Sequence, residues 1–170
     1  MRILATASVL LLLSGAAWAQ QPARGGPGAG QAPATDTTKG TRYSAADLAA
    51  AIAKLPQDRA VGSTQIYRLA GDKPYTVNVE HRISQPQAAA VHETEAELFY
   101  VIDGSAIMTT GGKLVGETRN GANLSGKSIE GGTPTKLSKG DFFMVPEGVP
   151  HWFNQIDGAI TIMSFHLPRK

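Results

Sequence analysis

Two stretches of this chain set imidazole and carboxylate side chains into otherwise apolar runs. One is His92-Glu93-Thr94-Glu95-Ala96-Glu97-Leu98-Phe99-Tyr100-Val101-Ile102-Asp103-Gly104. The other is Gly140-Asp141-Phe142-Phe143-Met144-Val145-Pro146-Glu147-Gly148-Val149-Pro150-His151-Trp152-Phe153-Asn154. Imidazole and carboxylate groups are the donors of divalent-metal sites. The chain holds four His and no Cys, so a His-based site has few residues to draw on. The lack of Cys excludes thiolate zinc sites, thiol nucleophiles and a disulfide scaffold.

The spacings inside these stretches are specific. His92, four residues, Glu97, six residues and Gly104 form one series; Gly140, five residues, Pro146, one, Gly148, two and His151 form the other. Here the chain resembles the cupin superfamily, whose motifs run G-x5-H-x-H-x3–4-E-x6-G and G-x5-P-x-G-x2-H-x3-N. The resemblance covers about Tyr75 to Phe165, with Asn154 one position early. It implies an all-β fold, a double-stranded β-helix or jelly-roll barrel; the short helix read upstream lies outside the resemblance. It also implies that His92, Glu97 and His151 are metal ligands pointing into the barrel. Two imidazoles and one carboxylate make the facial triad that holds Fe(II) with open positions, and the same donors serve Mn(II) or Zn(II).

One departure bears on that site. The family's first His would stand two residues before His92, at Ala90. His81 is the expected substitute. If Ser84-Gln85-Pro86-Gln87 closes a hairpin centred between Gln85 and Pro86, His81 lies opposite Ala90, and opposed residues share a face. A one-residue slip would turn His81 to the other face. If Ala90 instead marks loss of the metal, His92, Glu97 and His151 form a satisfied polar cluster. Glu93 and Glu95 read as solvated loop carboxylates or alternative ligands, and His166 as a surface residue. Trp152 and Phe153 could line a pocket or pack at the barrel mouth. Asn123-Leu124-Ser125 is a formal glycosylation acceptor.

These side chains need a scaffold, and from Gly62 onward the pattern has the period of two that marks strands. Expected strands are Gln65 to Leu69, Tyr75 to His81, Glu97 to Ile102, Ala106 to Thr110, Phe142 to Val145, His151 to Phe153 and Ala159 to Phe165, separated by Gly-, Pro- and Asn-rich turns. Phe99 and Val101 share the parity of Glu97; Leu98, Tyr100 and Ile102 take the other face. Ser105 to Lys139, broken by seven glycines, reads as hairpins and a long loop over one barrel mouth. Upstream, Ser44 can cap a helix whose start suits Asp47. Leu48, Ile52 and Leu55 form its apolar stripe, and Pro56 stops it.

The expected division is a signal peptide over 1–19, a flexible linker over 20–42, a helix and connection over 43–61, and the barrel over 62–170. Arg2, the apolar run Ile3 to Leu13 and Ala17-Trp18-Ala19 have the form of a secretory signal cut before Gln20. That apolar run is short of the ~20 residues a spanning helix needs. Gln20 to Arg42 has no Val, Ile, Leu, Met or aromatic residue and cannot offset its ordering entropy. Its Gly25 to Gly30 stretch lacks the Gly-Lys-Ser/Thr ending of a phosphate loop.

The chain of 170 residues suits one domain, and a mature chain of about 150 residues buries ~68–70% of its unfolded surface. Lys+Arg 16 against Asp+Glu 14, with no basic run, argues against nucleic acid as a partner. The expected protein is secreted or periplasmic, bound to no membrane after cleavage, and takes a small-molecule ligand or substrate. The resemblance adds a homodimer and a dioxygenase-type oxidoreductase. The alternatives are a non-catalytic ligand- or metal-binding cupin, or a metal-dependent isomerase or hydrolase acting on a sugar or organic acid.

Overall fold

Two long antiparallel strands carry the architecture, and every other strand of the large sheet attaches directly or indirectly to them. They are β4 (Glu95–Thr110) and β11 (His151–Pro168), paired along almost their whole length. The computed structural model describes residues 39–68 and 75–169. The expected signal peptide, and the expected linker up to residue 38, lie outside the described residues.

The chain begins with helix α1 (Ala45–Ala53), closed at its start by a reciprocal cap between Ser44 and Asp47. The Asp47 backbone N–H donates to Ser44 Oγ at 3.1 Å, and the Ser44 backbone N–H donates to Asp47 Oδ2 at 2.9 Å. Leu55, just past the helix, is buried, as the apolar stripe requires.

Strands β1 (Val61–Arg68), β2 (Thr76–Ile83) and β3 (Ala89–His92) follow, then β4. Five short strands occupy the glycine-rich region: β5 (Lys113–Val115), β6 (Thr118–Asn120), β7 (Asn123–Gly126), β8 (Ser128–Glu130) and β9 (Thr133–Ser138). Strand β10 (Phe142–Val145) precedes β11. This is the all-β, jelly-roll type of barrel expected from the sequence. One leaf runs β1-β2-β11-β4-β10 and the other β6-β7-β3-β11-β4-β9, so β4 and β11 belong to both. A separate pair, β5 with β8, covers the outside of β3 through Leu114 and Ile129.

Sharing two strands between leaves requires both to bend. In β4 the bend falls at Gly104, where φ is +83° and a Cβ would collide with the Ala159 carbonyl oxygen. Glycine is needed there both for its conformation and for the close approach. Facing it, β11 changes register between Phe153 and Gln155 and again between Ile156 and Ile160. The first of these shifts reverses which parity of β11 faces the interior and the second does not, since Ile156 and Ile160 are both inward. A third shift, between Thr161 and Ile162, reverses the inward parity of β4. Inward residues are Phe99 and Val101 before the β4 bend but Ala106 and Met108 after it. On β11 they are His151 and Phe153, then Ile156, Ile160 and Ile162. Phe99, Met108, Ile160 and Ile162 are essentially inaccessible, and each contributes ~1.5–3 kcal/mol by burial.

The structure corrects the expected pairing of His81 with Ala90. The Ser84–Gln87 segment does not join paired strands: β2 lies against β1 and β11, and β3 against β7 and β11. His81 faces Thr161 and Gly62, and Ala90 faces His151 and Ser125. Two further strand breaks are absent, since β4 runs through Gly104 and β11 runs from His151 through Ala159 without interruption.

Candidate metal centre

Five ionisable side chains meet inside the barrel: His92, Glu95, Glu97, His151 and His166. The end of β3 supplies His92, and after the short turn at Glu93 and Thr94 the start of β4 supplies Glu95 and Glu97. Both ends of β11 contribute, His151 at its start and His166 near its finish. Strand curvature makes this convergence, because β11 passes from the leaf holding β3 to the leaf holding β2. Gly148, at φ +75°, reverses the chain before His151, and its N–H donates to the His92 carbonyl at 2.8 Å, tying the two motifs together.

Glu97 is the centre of the group. His92 Nε2 and His151 Nε2 each lie 3.2 Å from Glu97 Oε2, and His166 Nε2 lies 3.4 Å from Glu97 Oε1. The opposite nitrogen of every ring meets an oxygen that can only accept. His151 Nδ1 donates to the Val149 carbonyl at 3.2 Å, and His92 Nδ1 to Asn123 Oδ1 at 2.7 Å. His166 Nδ1 donates to Glu95 Oε1 at 3.0 Å. With the proton held on Nδ1, the lone pair of a neutral imidazole is on Nε2. Three lone pairs are thereby aimed at one buried carboxylate.

That arrangement repels itself until a cation enters. Protons on the Nε2 atoms are one solution. In that state burial acts to raise the Glu97 carboxyl, but hydrogen bonds from His151 and His92, with the charges of His166 and His151, overcome it and hold Glu97 well below the usual carboxylate range. A divalent metal is the other solution, and the donor set fits one. His92, Glu97 and His151 offer ligand atoms within 4.8 Å of one another, and so do His92, Glu95 and His166.

The structure thus brings together three of the four residues expected as ligands, His92, Glu97 and His151, and keeps His81 apart. His81 Nδ1 is 3.1 Å from Thr161 Oγ1. Its neighbours Glu80 and Arg82 oppose Ile162 and Ile160, so His81 points to the other face of β2. The reading of His166 as a surface residue is overturned, since it is 7% exposed. So is the reading of Glu95 as a solvated loop carboxylate: it lies on β4 and is 8% exposed. A signal for Glu95 was present in its shared parity with Glu97, Phe99 and Val101. Glu93, by contrast, is exposed and pairs with Arg119 at 2.6 Å. Asn123, the formal glycosylation acceptor, has its side chain turned to His92.

Around the cluster the walls are apolar. The Phe99 ring lies 6.1 Å from that of His151 and edge-on to Phe153 at 5.4 Å. Trp152 faces outward from the barrel, packs against the Ala89–Val91–Leu114–Leu124 cluster and donates to the Gln87 carbonyl at 2.9 Å. An open cavity of about 390 Å³ lies between the Ser84–Pro86 turn and Trp152 to Ile156, and none of the five cluster residues lines it.

Residues 87–168, which carry all five, match the family model described as Cupin. That segment is a cupin domain. No curated protein sequence matches the chain. Among solved structures, the protein is similar to an HTH_3 family transcriptional regulator from Vibrio cholerae, at 11% identity and TM-score 0.45 over 68% of this chain and 55% of that one. It is also similar to FeII HppE, at 17% and 0.45 over 64% and 51%. A third likeness is to KdgF from Halomonas sp., at 14% and 0.43 over 65% and 81%. The chain spans little more than half the length of the first two.

Proposed function

We propose that this protein is an exported metalloprotein that holds one divalent transition metal, Fe, Mn or Zn, through His92, Glu97 and His151. We further propose that it acts as a dioxygenase-type oxidoreductase on a small chelating organic molecule. The observation that carries the reading is the convergence of imidazole Nε2 atoms on Glu97, each ring having its Nδ1 proton bonded elsewhere. When bound, a metal of this kind supplies a Lewis-acidic, redox-capable centre with positions left for O₂ and substrate.

The chain's own residues have separate tasks. Glu97 supplies the buried negative charge that offsets the cation. Asn123 and the Val149 carbonyl hold the rings of His92 and His151 in the tautomer a metal requires. Phe99, edge-on to Phe153, gives the site an apolar wall beside His151. Export rests on the signal-like segment 1–19, and the secreted or periplasmic protein is expected to begin at Gln20, which intact mass of the exported chain reads directly.

Elemental analysis of purified protein after metal supplementation, with His92→Ala alongside, tests the metal. The expected result is one metal per chain in the wild type and none in the variant; no metal in either overturns the reading. Oxygen uptake with catechols, diols and β-diketones tests the activity. Saturable ligand binding without oxygen consumption would show a binding protein instead.

A further inference from the structure

Position 90 leaves the cluster one imidazole short of the pattern the motif leads one to expect, and the strand that faces it is β11. Ala90 stands directly opposite His151, so that side of the site presents a methyl group. On the far side of Glu97, β11 returns, and His166 stands directly opposite Glu97 in the ladder. Its ring reaches the same carboxylate as the other two, and its edge faces the His92 ring at a centroid distance of 5.4 Å and 79°.

We propose that His166 is the fourth protein ligand of the metal, binding through Nε2, and that Glu95 is the positioning residue that makes it one. The inference rests on the metal-binding reading above and goes beyond it. No other imidazole among the described residues stands near Glu97 from the β2 side, since His81 faces away. Glu95 accepts the Nδ1 proton of His166 at 3.0 Å, in the role that the Val149 carbonyl has for His151 and Asn123 for His92. All three rings are therefore prepared alike, by three chemically different acceptors. A buried carboxylate is the strongest of the three, raising the basicity of the ring it holds. Glu95 has a second use: its Oε1 is 3.9 Å from His92 Nδ1, which places it between two of the rings.

In a different arrangement the second donor set, His92, Glu95 and His166, would hold a second metal beside the first. It is disfavoured because both nitrogens of His92 are committed, Nδ1 to Asn123 and Nε2 to the Glu97 side.

The test uses full-length protein loaded with Zn²⁺, read by X-ray absorption for imidazoles per metal and by competition with a chromophoric chelator for affinity. The expected wild-type result is one Zn²⁺ bound by three imidazoles. His166→Ala should retain two and lose more affinity than the ~10–100-fold that follows loss of an outer partner. Glu95→Gln should keep three imidazoles and weaken binding ~10-fold, with metal-free melting little changed; a purely structural Glu95 would lower the melting temperature and leave affinity alone. His81→Ala should match the wild type. If His166→Ala does not fold, the wild-type count and Glu95→Gln still decide. Two imidazoles in the wild type, or two metals per chain, would overturn the inference and leave the metal-binding reading standing. No Zn²⁺ in the wild type would overturn that reading itself.

Discussion

Two groups of buried polar side chains line the inside of the same strands, and they differ in whether their own members complete them. One is the His92–Glu95–Glu97–His151–His166 cluster. The other begins two residues earlier on the same face of β11, where Ser164 Oγ donates to Glu80 Oε1 at 3.0 Å. Arg82 donates to Glu80 Oε2 through Nε and Nη2 at 2.9 and 2.7 Å. Its Nη1 donates to Gln87, whose amide in turn donates to the carbonyls of Ala60 and Gln85 at 3.0 Å. The guanidinium lies 4.9 Å from the Phe153 ring centroid. In this group donors meet acceptors and the charges cancel. In the histidine cluster neutral imidazoles would turn three lone pairs toward Glu97, so a proton or a metal is needed between them. Burial of a carboxylate is common to both, so burial does not mark the site; the convergence of three imidazole nitrogens on one carboxylate does.

The comparison breaks first at its closed half. Arg82→Ala strands the Glu80 charge in the core and is expected to lower unfolding stability by about 3–5 kcal/mol in denaturant titration, with no change in metal affinity. A loss of affinity there would mean that the two groups are one. The open half should show the opposite response. Metal at ~1,000 times its Kd adds about 4 kcal/mol to stability, seen as a rise in melting temperature that Glu97→Ala abolishes and Arg82→Met does not.

Asn123→Ala removes the acceptor for His92 Nδ1 and should weaken metal binding ~10–100-fold, read by chelator competition, while Ser125→Ala, which destroys the glycosylation signal alone, changes nothing. The pH response follows from Glu97. Its folded pKa lies below its unfolded value of roughly 4.3, so the stability it contributes is present above that pH. It is lost as the pH falls through the folded value. Metal-free wild type and Glu97→Gln should converge in stability below that window, as followed by acid denaturation. Smallest of all is Glu93→Gln: its partner Arg119 is exposed, and neither metal affinity nor melting temperature should move.

Much of the barrel could be read from residue order because turns and period-two patterns are local. The cap at Ser44, the inward parity of Phe99 and Val101, and the spacings that carry His92, Glu97 and His151 each depend on residues within a turn or a strand. The glycine-rich stretch after Ser105 hid five strands, since segments of three to six residues leave little periodic signal. Glu95 falls outside a strand that begins at Glu97, and only the observed start of β4 shows that the shared parity extends to it.

His166 is the clearest division between the two kinds of information. Counted at a uniform period of two from His151, it lands on the outside of β11. The register shift between Phe153 and Gln155 reverses the inward parity, and His166 turns into the barrel beside Glu97. A bulge is made by the pairing of two strands and has no signature in one of them. The sequence alone determined which residue types were available and the spacings within each motif. The pairing of β4 with β11 decided which histidines meet, because only that pairing sets how each strand bends and which face it turns inward.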